Sequence, residues 1–372
     1  MKKFSSKLRI AVLIDTWFPF QGGGQVHVRE TSKRLKEKYQ WEIVIFHGSS
    51  ANILRRIIWN ILVVPQVIMA YIQKPFDLIH AQAYSAGLPA KILSFVLGLP
   101  VVYTIHGCNS LDIFYSSKLR KIAGRGLVFR LKYFFERWLL TGIKYDAQIS
   151  VARNFLKYPN LNKKIYIIPN GVETKEFKLA TEDLRKNNRD KLKLLFVGRL
   201  EKIKGLDLLL QALARIKNRL PVFELRVIGD GSQKRKLELL TSELGLNERV
   251  RFLGRKIKKD LAKEYYQANI FLLPSLSEGQ PLTLLEAWAA QLPVIVTRVS
   301  HNQYMVEENK DGFLVEPGSI ESLEKILIKA FEQVNKWPLI GERGYKKTKK
   351  DFTWEKTIEK IAGVYSQVLK YN

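Results

Sequence analysis

The chain has 372 residues, 46% of them hydrophobic, and a single cysteine, Cys108. That is ample for folding, too long for one ordinary core, and incompatible with an internal disulfide, as suits a reducing cytoplasm. The net charge is +27, unevenly spread: residues 1–180 carry 27 Lys/Arg against 10 Asp/Glu, the remainder 35 against 25. Such a field suits a polyanion, whether an anionic membrane surface, a nucleic acid or a phosphorylated substrate; a plain solubilising lysine surface is the alternative.

The basic start "MKKFSSKLRIAVLIDTWFPF" has only "IAVLI" as its apolar part before Asp15, so it reads as a first β-strand and not a signal peptide. Buried parallel strands are expected at 8–15, 42–48, 77–82, 101–106, 146–151 and 164–169, with helices at 26–38 and 85–97. The charged stretch 172–191 has no apolar run and reads as a linker. A second series follows, with strands at 193–198, 224–231, 250–254, 270–274 and 293–297. Its helices are expected at 205–219, 232–244, 258–267, 282–291 and 319–335. Residues 354–372 form a terminal helix with an apolar stripe at Ile358, Ile361, Val364, Tyr365 and Leu369. Two strand–helix alternations predict two doubly wound α/β domains facing a cleft lined by strand-end loops.

Those loops carry the candidate chemistry. Gly22, Gly23 and Gly24 precede a helix start, where a ligand could approach the backbone; a flexible turn fits equally. His106 ends a strand, able to donate to an oxygen, shuttle a proton, or serve structurally. Gly198, Arg199 and Lys204 form a strand-end loop whose two cations suit a diphosphate. In "SLSEGQPLTLLEAWA", Pro281 suits the first turn of a helix, and the amides from Gly279 to Leu282 are placed for an anion. Glu278 stands in the loop. Glu286 lies within the helix, where an unpartnered carboxylate would cost several kcal/mol. Vicinal hydroxyls, or an arginine, could satisfy it. The loop "VSHNQYMVEENKDGFLVEPGS" reads as a short helix, a glycine turn and an extended piece.

In order and spacing, the "GGG" loop, "TIHG", "IIPNGVE", "FVGRLEKIKG", "LRVIGDG", "LPSLSEGQPLTLLEAWA" and "DGFLVEPG" resemble the retaining glycosyltransferases of family 4. The resemblance spans nearly the whole chain and implies the GT-B fold, two Rossmann-like domains about a central cleft. The implied domains are an acceptor-side domain (1–175), a nucleotide-sugar domain (190–350) and a C-terminal helix (351–372) crossing back to the first. It implies that Arg199 and Lys204 grip the donor diphosphate, that Glu286 holds the ribose hydroxyls, and that Glu278 contacts the transferred sugar. The backbone of Gly279, Gln280, Pro281 and Leu282 would bind phosphate and sugar, His106 would lie on the acceptor side, and Gly23 and Gly24 would let the first domain close. The donor would be a UDP- or GDP-sugar, a substrate and not a cofactor, with no metal required. Trp288 stands where the family often has Met, a position read as packing.

Two stretches of the first half bear on the acceptor. "ILRRIIWNILVVPQVIMAYIQK" (53–74) has an uncharged run near the lower limit for a membrane span and reads as a buried or interfacial helix. Residues 116–145 hold eight Lys/Arg and one Glu, with Leu127, Leu131, Phe134 and Trp138 in a stripe. They would lie on anionic lipid or pack on the sheet. The expected enzyme is cytoplasmic, peripheral on the inner face of the membrane, with a saccharide or lipid-linked acceptor. The competing readings are a soluble transferase with a small acceptor and, from charge alone, a nucleic-acid-binding protein, which lacks any recognisable module.

Overall fold

A computed structural model describes residues 7–17, 22–48, 53–82, 84–107, 127–177, 191–299 and 301–370. Cys108, residues 116–126 of the basic stretch and residues 178–190 of the expected linker lie outside them. The described residues divide into two units, 7–107 with 127–171 and 354–370, and 172–177 with 191–299 and 301–353.

The first unit is built on β1 (Arg9–Ile14), β2 (Glu42–His47), β3 (Leu78–Gln82), β4 (Val101–Ile105), β5 (Ala147–Ser150) and β6 (Ile165–Ile167). All pair in parallel, in the order β2-β1-β3-β4-β5-β6. Its helices are α1 (Gly23–Tyr39), α2 (Ile53–Gln73), α3 (Gly87–Leu97) and α4 (Leu127–Arg137), the last running on into a π-helical segment, Trp138–Gly142. The chain moves outward from β1 to β2, then returns across β1 to β3 and keeps that direction. Right-handed crossovers therefore put α1 on one face of the sheet and α2, α3 and α4 on the other. Val28 and Leu35 of α1 accordingly join Ile10, Val12 and Ile14 in one core cluster.

The second unit is built on β7 (Leu192–Val197), β8 (Phe223–Ile228), β9 (Val250–Phe252), β10 (Ile270–Leu273), β11 (Val294–Thr297) and β12 (Phe313–Val315), in the order β12-β11-β10-β7-β8-β9. Its helices are α5 (Leu206–Ile216), α6 (Lys234–Glu243), α7 (Lys258–Gln267), α8 (Leu282–Ala289), α9 (Asn302–Met305), α10 (Ile320–Glu332) and α11 (Trp337–Asp351). Successive residues of β7 serve opposite cores, as a strand buried on both faces requires. Leu194 and Phe196 pack with α5 and α10, while Leu195 and Val197 pack with α8.

Three elements differ from the sequence expectation. The extended piece after the glycine turn is a full sheet member, β12, paired to β11. The strand expected over 224–231 stops at Ile228. Helix α11 was not expected, because Gly341 and Gly344 weaken its helical signature. The packing explains the second glycine: a Cβ on Gly344 would stand 2.2 Å from Cδ1 of Trp288. That indole is fully buried between helices, donating from Nε1 to the Asp311 carbonyl at 3.0 Å.

The unit boundary also differs. Residues 172–177, read as linker, belong to the second unit: Val172 and Phe177 are buried in its core, and the Val172 amide donates to the Phe352 carbonyl at 2.9 Å. The last helix, α12 (Trp354–Lys370), belongs to the first unit and lies against α1. Ile358, Ile361, Val364 and Tyr365 are buried in its core, and Lys38 bonds Glu359 at 2.6 Å.

Candidate active site

In an open parallel sheet the strand-end crevice opens where the strand order reverses. In the second unit that point lies between neighbours β7 and β10: the chain leaves β7 towards β8 and β9, and leaves β10 towards β11 and β12. Gly198 and Arg199 follow β7 directly, and Lys202–Lys204 form a single 3-10 turn before α5. Glu278 lies in the loop after β10. The two loops are bonded together. The Leu276 amide donates to the Ile203 carbonyl at 2.7 Å, and Lys204 Nζ donates to Glu278 Oε1 at 2.5 Å. Ser275 Oγ donates to the same carboxylate oxygen at 2.7 Å. The Lys204 and Glu278 side chains are only 16% and 7% exposed, whereas Arg199 stands exposed.

The approach of the loops depends on Gly205. Its φ is +66°, and a Cβ would lie 2.2 Å from the Pro274 carbonyl oxygen, so no side chain fits. Glu201 anchors the β7 loop from the other side, accepting from the Ser232 amide at 3.1 Å and the Ser232 hydroxyl at 2.7 Å. The cations are thus carried on a loop tied at both ends.

Helix α8 begins beyond Pro281, which has no side-chain acceptor to cap the first-turn amides, and the first turn holds no acidic residue. Neither Pro281 nor an acid of the first turn answers the positive end of the helix. Gly279 and Leu282 are partly exposed there, while Gln280 and Pro281 are buried. One turn further, Tyr265 of α7 donates its hydroxyl to Glu286 Oε2 at 2.8 Å. Burial pushes the Glu286 carboxyl up to about 7; the Tyr265 bond opposes this, and the nearby Glu176 charge adds to it. A tyrosine therefore partners this carboxylate on its apolar helix. Nothing in the spacing of residues 265 and 286 signalled it.

In the first unit, Gly23 opens α1 and Gly24 sits against His106, the place of a Cβ lying 3.4 Å from His106 Cδ2. His106 is the first residue past β4 and is partly exposed. Its Nε2 lies 2.7 Å from Gln82 Oε1, an oxygen that can only accept, so Nε2 carries the proton and Nδ1 the lone pair. The Gln82 amide in turn reaches His80 Nε2 at 3.1 Å, and His80 Nδ1 meets the Tyr365 hydroxyl at 2.5 Å. A buried polar relay thus runs from α12 through β3 to His106. His27 of α1 packs edge-on to His106 at 4.8 Å and donates from Nδ1 to Asn170 Oδ1 at 2.8 Å, which gives "IIPNGVE" a structural task.

Burial lowers all three imidazoles: His27 to about 4, His80 to about 3, and His106 well below its usual range, with its two histidine neighbours adding to the effect. His106 is therefore neutral at pH 7 and offers a lone pair, not a positive charge. The sequence reading overlooked His27, His80, Gln82, Asn170, Tyr265, Ser275 and Tyr365. Only "DLIHAQ" held a hint, two polar residues two apart in a buried strand.

Two family models match the chain, Glycosyltransferase Family 4 over residues 21–176 and Glycosyl transferases group 1 over residues 180–347. The chain belongs to the group 1 glycosyltransferases. Among curated relatives, this glycosyltransferase is 26% identical to an uncharacterized glycosyltransferase of Methanocaldococcus jannaschii, over 95% of this chain and 96% of the relative. It is 27% identical to the UDP-Gal:alpha-D-GlcNAc-diphosphoundecaprenol alpha-1,3-galactosyltransferase of Escherichia coli, over 79% and 76% of the two chains. Among solved structures, sucrose-phosphate synthase of Thermosynechococcus elongatus superposes with a TM-score of 0.85 at 20% identity, covering 98% of this chain and all of that one. The fold is GT-B, with two Rossmann-like α/β units.

Proposed function

We propose that this glycosyltransferase moves a sugar, with retention at the anomeric carbon and without a metal, from a UDP- or GDP-sugar to a saccharide or lipid-linked acceptor. The setting is cell-surface glycan synthesis at the cytoplasmic face of the membrane. The observation that carries this reading is the Lys204–Glu278 pair across the switch point of the second sheet, beside exposed Arg199 and the start of α8, whose first turn holds no acid. A diphosphate is the anion that two cations and a helix start would hold together. The Escherichia coli relative, whose name pairs a UDP-sugar with a diphosphoundecaprenol-linked acceptor, supports the uridine donor and the lipid-linked class.

Within this reading, Arg199 and Lys204 act where negative charge develops as the nucleoside diphosphate leaves, which lowers the barrier instead of merely tightening binding. They take the place a metal would otherwise fill. Glu278 accepts from Lys204 and Ser275 on one oxygen, an arrangement that suits holding a sugar hydroxyl better than attacking an anomeric carbon. The leaving phosphate then takes the acceptor's proton on the same face. Glu286 receives the ribose hydroxyls beside Tyr265, and neutral His106 accepts a hydrogen bond on the acceptor side. R199A and K204A should each lower kcat by roughly 10²–10³-fold in the presence of EDTA. Wild-type turnover in both variants would refute the assignment, and an inverted product anomer, read by proton NMR, would refute retention.

A further inference from the structure

Among the described residues, 22 large apolar side chains are exposed, and 15 of them lie on α2, α3 and the α4 segment through Trp138. The crossover rule collected these three elements on one face of the first sheet. α3 packs against α2 on one side and against the Trp138–Gly142 segment on the other, so the exposed apolar positions form one layer. On α2, Ile61 is 67% and Ile72 76% exposed; on α3, Phe95 is 90% exposed. On α4 and the π-helical segment after it, Leu127, Leu131, Phe134 and Trp138, the stripe seen in the sequence, all face outward, while Tyr133, Leu139 and Leu140 turn inward. A soluble surface rarely carries such a patch without use.

The charges on the same elements select the occupant. α2, α3 and α4 carry Arg55, Lys91, Arg130 and Arg137 against one acid, Glu136, which is buried, while Arg56 is paired with Asp15. Apolar side chains bordered by cations without exposed acids match the headgroup and upper acyl region of an anionic bilayer.

Helix α2 is long and apolar enough to cross a membrane, with a 19-residue stretch from Arg55 to Gln73. It is instead tied along the sheet. Near its start Arg56 pairs with Asp15 just past β1, and near its end Arg9 of β1 donates to the Ala70 carbonyl at 3.3 Å and to Lys74. Its inner face, Trp59, Val63 and Val67, is buried. Crossing a bilayer would break both ties and expose that face, whereas lying flat breaks neither.

We infer that the outer face of α2, α3 and α4 is a membrane-docking surface, inserted to side-chain depth in an anionic lipid leaflet with α2 parallel to the bilayer plane. The inference rests on the membrane-proximal acceptor reading only for its biological purpose; the binding itself is separable from catalysis. Flotation with vesicles of phosphatidylglycerol and phosphatidylcholine, against phosphatidylcholine alone, tests it. The wild type should float with the anionic vesicles and retain part of that binding in high salt. I61D/I72D/F95D should weaken it by about tenfold or more. All three side chains are exposed, so the uridine diphosphate thermal shift should not change, which separates this outcome from failure of the donor reading. Hydrogen exchange on the wild type, with and without anionic vesicles, gives a reading independent of any variant: α2, α3 and α4 should gain protection. Absence of flotation, equal binding by wild type and triple variant, no gain in protection, or a wild-type dimer dispersed by the same substitutions would each overturn the inference, the last by assigning the face to a second copy.

Discussion

Glu286 is partly exposed, yet its carboxyl is strongly desolvated, which is costly and therefore informative. Desolvation raises it to about 7 and Tyr265 holds one of its oxygens, so at neutral pH it is only partly ionised. Ribose hydroxyls bond the ionised form better. Donor affinity should therefore rise with pH up to about 7, by at most about tenfold per unit, and then level off. E286Q should flatten that profile and weaken binding, as isothermal titration across this range will show. Gln82 is a positioning residue of the same kind. Its oxygen fixes the proton of His106 on Nε2, so Q82L should lower kcat more than it raises KM and alter the nitrogen-15 shifts of the His106 ring. Arg199, Lys204 and Glu278 drew attention in the sequence because they stand in loops after strand ends, and Glu286 because it interrupts an apolar helix. Their partners were not legible, since Tyr365 meets His80 across 285 positions and local spacing carries no such information.

At the scale of elements, strong periodicity was readable where one element satisfies its own pattern. β1, β7 and α12 are of this kind, each with a continuous apolar run or stripe. α11 was not, because its glycines answer a neighbour. A Cβ at residue 344 would intrude on the Trp288 indole, so G344A should cost about 1–3 kcal/mol of stability despite raising helix propensity. Chemical denaturation monitored by tryptophan fluorescence checks this, and a stabilised variant would show that α11 does not pack as described. The unit boundary was misplaced for a related reason. The chain around 172–177 is rich in charge, yet Val172 and Phe177 pack in the second core and Tyr266 donates to the Glu176 carbonyl at 2.8 Å.

At the scale of the molecule, the buried histidines of the first unit and Glu286 of the second answer pH in opposite senses. Three histidines of the first unit are held neutral, with folded values below the unfolded one near 6.5; their stabilisation is present above that value and lost as pH falls. His27 alone, lowered to about 4, corresponds to about 3 kcal/mol. Glu286 in the second unit is raised, so its contribution is greatest below the unfolded carboxylate value and is lost as pH rises towards 7. Hydrogen exchange corrected for intrinsic rates should show β3 and β4 losing protection between about pH 7 and pH 5, with α7 and α8 unchanged or better protected. The charge of +27 says only that a polyanion is welcome; under the proposed readings the strand-end cations take a diphosphate and the outer helices a lipid leaflet.

The most direct test of the central claim is a thermal-shift and turnover screen of nucleotide sugars with EDTA present, run on wild type and K204A. One UDP- or GDP-sugar should raise the melting temperature of the wild type and be consumed with an acceptor, and K204A should lose most of both responses. Stabilisation by no nucleotide sugar, or equal stabilisation and turnover in K204A, would contradict the account.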